Sequence, residues 1–158
     1  MTKIITKSCL IFLFFITSNC GYKVVDTSKS NNFNMKEIIT SGDKRINFKI
    51  KNNLIFNSSQ NKENNLILEL YTKKTKKIKE KNIKHEITKY EISLSSNIKL
   101  NFLEKNKTQT FDIISTGDYK VVDKYATTLT NEKKLIDNLI KDISQKILKK
   151  ISLKLDDI

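Results

Sequence analysis

Apolar and polar positions change rhythm several times along the chain. From Thr88 to Phe102 the period is two. Thr88, Tyr90, Ile92, Leu94, Ser96, Ile98, Leu100 and Phe102 share one face, and Lys89, Glu91, Ser93, Lys99 and Asn101 share the other. One apolar face and one polar face predict an antiparallel strand covered on one side. Leu66, Leu68 and Leu70 alternate ahead of Tyr71 and Thr72 and predict another strand. Phe111, Ile113, Ser115, Gly117, Tyr119, Val121 and Tyr125 alternate again, with Gly117 a candidate bulge. A first strand falls around Met35–Thr40, closed by the turn Ser41-Gly42-Asp43. Near the end the period becomes helical. Leu135, Ile136, Leu139, Ile140, Ile143, Ile147, Leu148 and Ile151 form a stripe between polar residues. This predicts a helix over about 131–153, with Thr130 as N-cap and Glu132 in the first turn, where a carboxylate suits the helix dipole.

Lys44–Phe56 fits two patterns. Ile46, Phe48 and Ile50 alternate as in a strand, whereas Ile46, Ile50 and Leu54 fall four apart as on a helix face, with Ser41 or Asp43 available as N-cap. Periodicity leaves both open. Asn57–Asn65 reads as a polar loop, and Lys105-Asn106-Lys107 as a turn. YKVVD occurs at Tyr22–Asp26 and again at Tyr119–Asp123, with no longer similarity around the copies, so it is not a structural repeat. The expected architecture is α+β: two helices packed on one face of a four-stranded, mostly antiparallel sheet.

The first twenty residues have a different character. Lys3 and Lys7 precede the apolar run Cys9–Ile16; Thr17, Ser18, Asn19 and then Cys20 follow. That is the layout of a secretory signal peptide, and the run is far shorter than the ~20 residues of a membrane span. We expect residues 1–19 to be removed and Cys20 to carry lipid. Residues 20–158 then form a single domain behind a short N-terminal tether. Thr17 and Asn19 stand where bacterial lipoboxes usually have Leu and Gly or Ala. The alternative is an ordinary secreted protein with Cys20 left as a free thiol. Cys9 is the only other cysteine and lies in the removed segment. An acylated Cys20 therefore leaves the mature chain no thiol for a disulfide, a redox pair or a zinc site.

Removal of residues 1–19 from 158 leaves 139, enough for one modest core. The formal charge of +13 falls to +11 without Lys3 and Lys7. A basic excess points to an anionic partner such as acidic lipid or a phosphorylated glycan; an exported chain rarely meets nucleic acid, and none is expected here. Arg45 is the only arginine beside 29 lysines, a bias that AT-rich coding would also produce. The charge is densest from Lys73 to Lys84, with seven lysines and one glutamate. Such a stretch is too charged for a core and reads as the solvated end of a long hairpin, or a loop.

Catalysis finds little support. His85 is the only histidine and stands beside the lysine run as a solvated residue. No nucleophile elbow, phosphate-binding glycine loop or paired-histidine metal motif occurs, and Asp156-Asp157 is a pair at the chain end. We expect no enzyme, no metal and no cofactor beyond covalent diacylglycerol and N-acyl lipid on Cys20.

The start Cys20-Gly21-Tyr22-Lys23-Val24-Val25-Asp26-Thr27 and the terminal segment LTNEKKLIDNLIKDISQKILKKIS resemble LptE, the lipopolysaccharide-assembly lipoprotein family of Gram-negative outer membranes. The resemblance implies the order strand, helix, three strands, helix, and so favours a helix at Lys44–Phe56. It also implies an outer-membrane lipoprotein on the periplasmic face, sorted there with Gly21 after the cysteine. Such a protein plugs and helps assemble an LptD-like β-barrel and binds lipopolysaccharide. Lys73, Lys74, Lys76, Lys77, Lys79, Lys81 and Lys84 are our candidates for meeting lipopolysaccharide phosphates and acidic sugars. Two other readings are a periplasmic lipid- or ligand-binding lipoprotein and a structural subunit of another envelope complex.

Overall fold

The structure is a computed structural model that describes residues 33–58 and 64–156. The expected signal segment, residues 1–19, and Cys20 lie outside the described residues. The elements run β1 (Asn34–Gly42), α1 (Lys44–Phe56), β2 (Asn65–Lys81), β3 (Ile87–Phe102), β4 (Lys107–Lys120) and α2 (Tyr125–Asp156). The strands form one sheet in the order β1-β2-β3-β4. β1 pairs parallel to β2; the other two pairings are antiparallel. A parallel neighbour needs a crossover, and α1 supplies it.

Lys44–Phe56 is a helix. Asp43 accepts a hydrogen bond from the Ile46 amide and caps it, and Ile46, Asn47, Ile50 and Leu54 face inward. Gly42 makes the joint, at φ +90° in the left-handed region. Its Cα lies so close to the Thr72 carbonyl that a Cβ would sit 2.3 Å from that oxygen. The next amide, Asp43 N–H, donates to the same carbonyl at 2.9 Å. Asn47 donates to the Ser41 carbonyl at 2.6 Å, and Lys51 reaches the Ile38 carbonyl at 3.4 Å. These bonds run α1 back along β1, which leaves Phe56 at the end where the chain enters at Phe33.

Both helices cover one sheet face. Leu66, Leu68 and Leu70 of β2, Ile92, Leu94, Ile98 and Leu100 of β3, and Ile143, Ile147 and Ile151 of α2 are fully or almost fully buried. The β3 alternation is therefore the core face, as its period implies. The opposite face is open and is held by polar pairs across strands. Lys99 pairs with Glu69 at 2.8 Å, and Asn97 donates to Asp112 at 2.8 Å. The ammonium of Lys99 lowers the Glu69 pKa.

Three expectations at β4 and α2 are corrected. Gly117 is not a bulge, because the β3–β4 register runs unbroken from Lys89↔Lys120 to Phe102↔Lys107. Its missing side chain instead makes room for α2: a Cβ there would stand 2.7 Å from the Leu135 methyl Cδ1. Tyr125 does not extend the strand; it opens the helix. Thr130 is not the N-cap but sits inside the helix and donates to the Ala126 carbonyl at 2.9 Å. The entry is fastened by Thr128, whose hydroxyl accepts from the Val122 amide and donates to the Val122 carbonyl, both at 3.0 Å.

Candidate functional site

The lysine run is the end of a hairpin. β2 carries it as far as Lys81, and β3 starts at Ile87. The Asn82 side chain accepts from the Lys84 and Glu86 amides and shapes the turn, with exposed His85 at φ +62°. The side chain thus supplies a local alternative to ladder hydrogen bonds.

The strand pleat divides the seven candidate lysines. Lys74 and Lys76 stand opposite Leu94 and Ile92, on the helix side; Lys73 and Lys77 stand opposite Ser95 and Glu91, on the open side. At the irregularity between Ile78 and Lys81, Lys79 pairs with Asp118 at 2.8 Å, and this contact lowers the Asp118 pKa. Lys81 and Lys84 are exposed at the tip. The structure therefore brings the run to one end of the molecule but not onto one surface.

Lys76 is tied into the fold. Its ammonium lies 2.8 Å from a Glu132 carboxylate oxygen, 4.4 Å from the Tyr90 ring centre and 5.3 Å from the Tyr119 ring centre. The two rings stack at 5.8 Å, and the Tyr119 hydroxyl donates to the same Glu132 oxygen at 2.7 Å. Burial works against both charges. The hydrogen bonds with Glu132 and Tyr119 outweigh it at Lys76 and raise that pKa; those with Lys76 and Tyr119 outweigh it at Glu132 and lower that one. Burial is the leading cause of the raised Tyr119 pKa. Glu132 is 56 positions from Lys76, so no local signal marks the partnership; in sequence it reads only as a helix-start carboxylate.

Two other surfaces stand out. A groove lined by Gln109, Thr110, Phe111, Lys150, Leu153 and Lys154 opens to solvent, with Lys150 4.5 Å over the Phe111 ring. The outer side of α1 exposes Phe48, Ile55 and Phe56. Among the described residues no group of three His, Cys, Asp or Glu side chains is placed to hold a metal, and no helix is long and apolar enough to cross a membrane.

No protein-family model matches this chain, and no curated protein matches its sequence. Solved structures do match. Rare lipoprotein B from Shewanella oneidensis aligns with a TM-score of 0.60 at 13% identity, over 77% of this chain and 97% of that one. Lipoprotein B from Nitrosomonas europaea aligns at 0.59 and 13%, over 80% and 88%. A minor lipoprotein from Acinetobacter baumannii aligns at 0.56 and 16%, over 78% and 94%. The fold is thus one used by small bacterial lipoproteins. More particularly, it is the fold of rare lipoprotein B, and its order of strand, helix, three strands and helix is the one the resemblance implied.

Proposed function

We propose that this protein is an LptE-like, non-enzymatic lipoprotein of the outer membrane, held on the periplasmic face by lipid on Cys20. It supports lipopolysaccharide transport and assembly by plugging an LptD-like β-barrel, helping that barrel assemble, and binding lipopolysaccharide. The observation that carries this reading is the alignment with rare lipoprotein B over 97% of that chain. The Cys20-Gly21-Tyr22 start supports it independently, since it supplies the acceptor for the anchor.

Within this role the lysine hairpin meets the anionic groups of lipopolysaccharide. Lys73, Lys74, Lys77, Lys81 and Lys84 are the contributors, because Lys76 and Lys79 already hold carboxylates of their own chain. Lysine binds phosphate as a solvated point charge, so such binding should weaken as salt rises. Affinity isolation of the tagged protein from native outer membranes tests the reading: a large β-barrel protein should co-purify. Absence of any barrel from the isolate defeats it.

A further inference from the structure

We infer that the outer edge of β2 beyond Thr72 takes up an extended acidic segment of a partner protein, which adds to the sheet as a further strand. β1 ends where Gly42 pairs with Thr72, and α1 then turns back along β1. β2 continues without a neighbour on that side to Lys81. The Thr72 carbonyl faces this edge, because it accepts from the Asp43 amide. Main-chain groups of alternate strand residues face the same side, so those of Lys74 and Lys76 come next. Among the described residues nothing bonds them there. The far edge of the sheet differs. Lys150 and Asn131 of α2 reach the outward carbonyls of Asp112 and Lys120 in β4, at 3.4 and 3.5 Å.

The edge is straight before it is broken. β2 pairs with β3 in regular register from Lys73↔Ser95 to Ile78↔Tyr90, and the irregularities come only between Ile78 and Lys81. The stretch Lys73–Ile78 therefore offers an edge of about 20 Å at ~3.3 Å per residue. A straight open edge accepts any strand unless something selects among them.

Here charge selects. Lys73 and Lys77 stand on the open side of the edge and Lys74 on the helix side. None of the three has an ion-pair partner among the described residues. Lys44 and Arg45 begin α1 at the near end of the same edge and are unpaired as well. A second copy of this edge would bring ammonium groups against ammonium groups and is repelled. An acidic strand would place carboxylates beside ammonium groups on both faces of the sheet. Main-chain hydrogen bonds then supply the affinity, and the lysines choose the partner. Phosphate alone does not complete the site. Its oxygens meet the lysines but donate nothing to the Lys74 and Lys76 carbonyls, whereas a peptide strand serves both amides and carbonyls. Lys81 and Lys84, at the tip, stand beyond the straight stretch and stay available to a glycan. The inference thus goes beyond the proposed lipopolysaccharide contact and adds a protein ligand.

The full chain, isolated from its host membranes in detergent, is titrated with an end-blocked octapeptide of glutamate and threonine. Amide exchange at Lys74 and Lys76, read by NMR, should slow at least tenfold on binding. Lys73 and Lys77, whose amides face β3, should change little. A peptide with glutamine for glutamate, and one with every amide N-methylated, should each bind at least tenfold more weakly. Lys73→Glu with Lys77→Glu should abolish binding, while exchange at the buried Leu68 and Leu100 stays as in the parent. Absence of binding overturns the inference. So does an N-methylated peptide that binds as well as the unmodified one, which leaves a contact of charge alone. Edge amides already slow in the free chain overturn it too, since a segment of this chain or a second copy then covers the edge. Lipopolysaccharide that slows the same two amides to the same degree assigns the edge to the glycan and likewise overturns it. None of these results bears on co-purification of a barrel, by which the proposed function stands or falls.

Discussion

Replacing Lys76 by methionine separates a lysine that holds the fold from lysines that face a partner. Methionine keeps an unbranched apolar stem and removes the ammonium that lies over Tyr90. Two contributions are lost. The ion pair with Glu132 is partly exposed, with the side chains 38% and 20% accessible, so about 0.5–1 kcal/mol is the appropriate scale. The contact over the stacked tyrosines adds about 0.5–1 kcal/mol. We expect Lys76→Met to cost about 1–2 kcal/mol in urea unfolding, read from the midpoint at an unchanged slope. Lys77→Met, one residue on and facing the open side, should stay within about 0.5 kcal/mol of the parent. A double-mutant cycle with Glu132→Gln should return a coupling of about 0.5–1 kcal/mol. The pH dependence has a defined sign. Glu132 is lowered from its ordinary value of 4.5, so its share of stability is present above that value and lost as pH falls through the lowered one. The raised Lys76 value describes the same interaction from the other side; its share is present below 10.5 and lost as pH rises through the raised value. Equal losses for Lys76→Met and Lys77→Met, or zero coupling, would refute the assignment of Lys76 to the fold.

Charge reversal of Lys73, Lys77, Lys81 and Lys84 together should weaken lipopolysaccharide binding at least tenfold, by pull-down or fluorescence titration, with an unchanged circular dichroism spectrum; unchanged binding would return the run to coding bias. Gly42→Ala should lower stability by at least about 2 kcal/mol, because it adds a Cβ against the Thr72 carbonyl and strains a positive φ; thermal melting reads it. Ile147→Ala, at a position with no solvent exposure, should cost about 2–5 kcal/mol by urea unfolding. Cys20→Ala should abolish the mass of the attached acyl chains on the isolated protein, and a spectrum that keeps that mass would refute acylation at this residue.

Much of the fold was legible wherever one side of an element carries all the burial. β3 reads cleanly because Ile92, Leu94, Ile98 and Leu100 meet the helices while the alternate positions meet solvent. α1 was ambiguous for a physical reason. Phe48 completes a strand-like alternation, yet it is apolar on the outer side of a helix, and a periodicity count cannot distinguish a core phenylalanine from a surface one. The start of α2 was placed too late because Tyr125–Thr130 adds no buried residue to the stripe; Tyr125 and Leu129 are exposed. At the candidate site, the lysine run and its hairpin position were legible, but its division was not. Which lysines are spent inside the molecule depends on Glu132 and Asp118, brought close only by the sheet and α2.

The hairpin also sets a distance. Its tip and the entry at Phe33 occupy opposite ends of the sheet, because β2 and β3 run the full length between them. The 16 residues of β3 extend about 50 Å at ~3.3 Å per residue. With the proposed lipid on Cys20 the domain would be tethered at one end and basic at the other, a ruler whose graduation is the strand residue. Trimming two residues from each arm beyond Lys77 would draw the basic tip in by about 7 Å and leave the buried core untouched, so working length and stability can be varied separately.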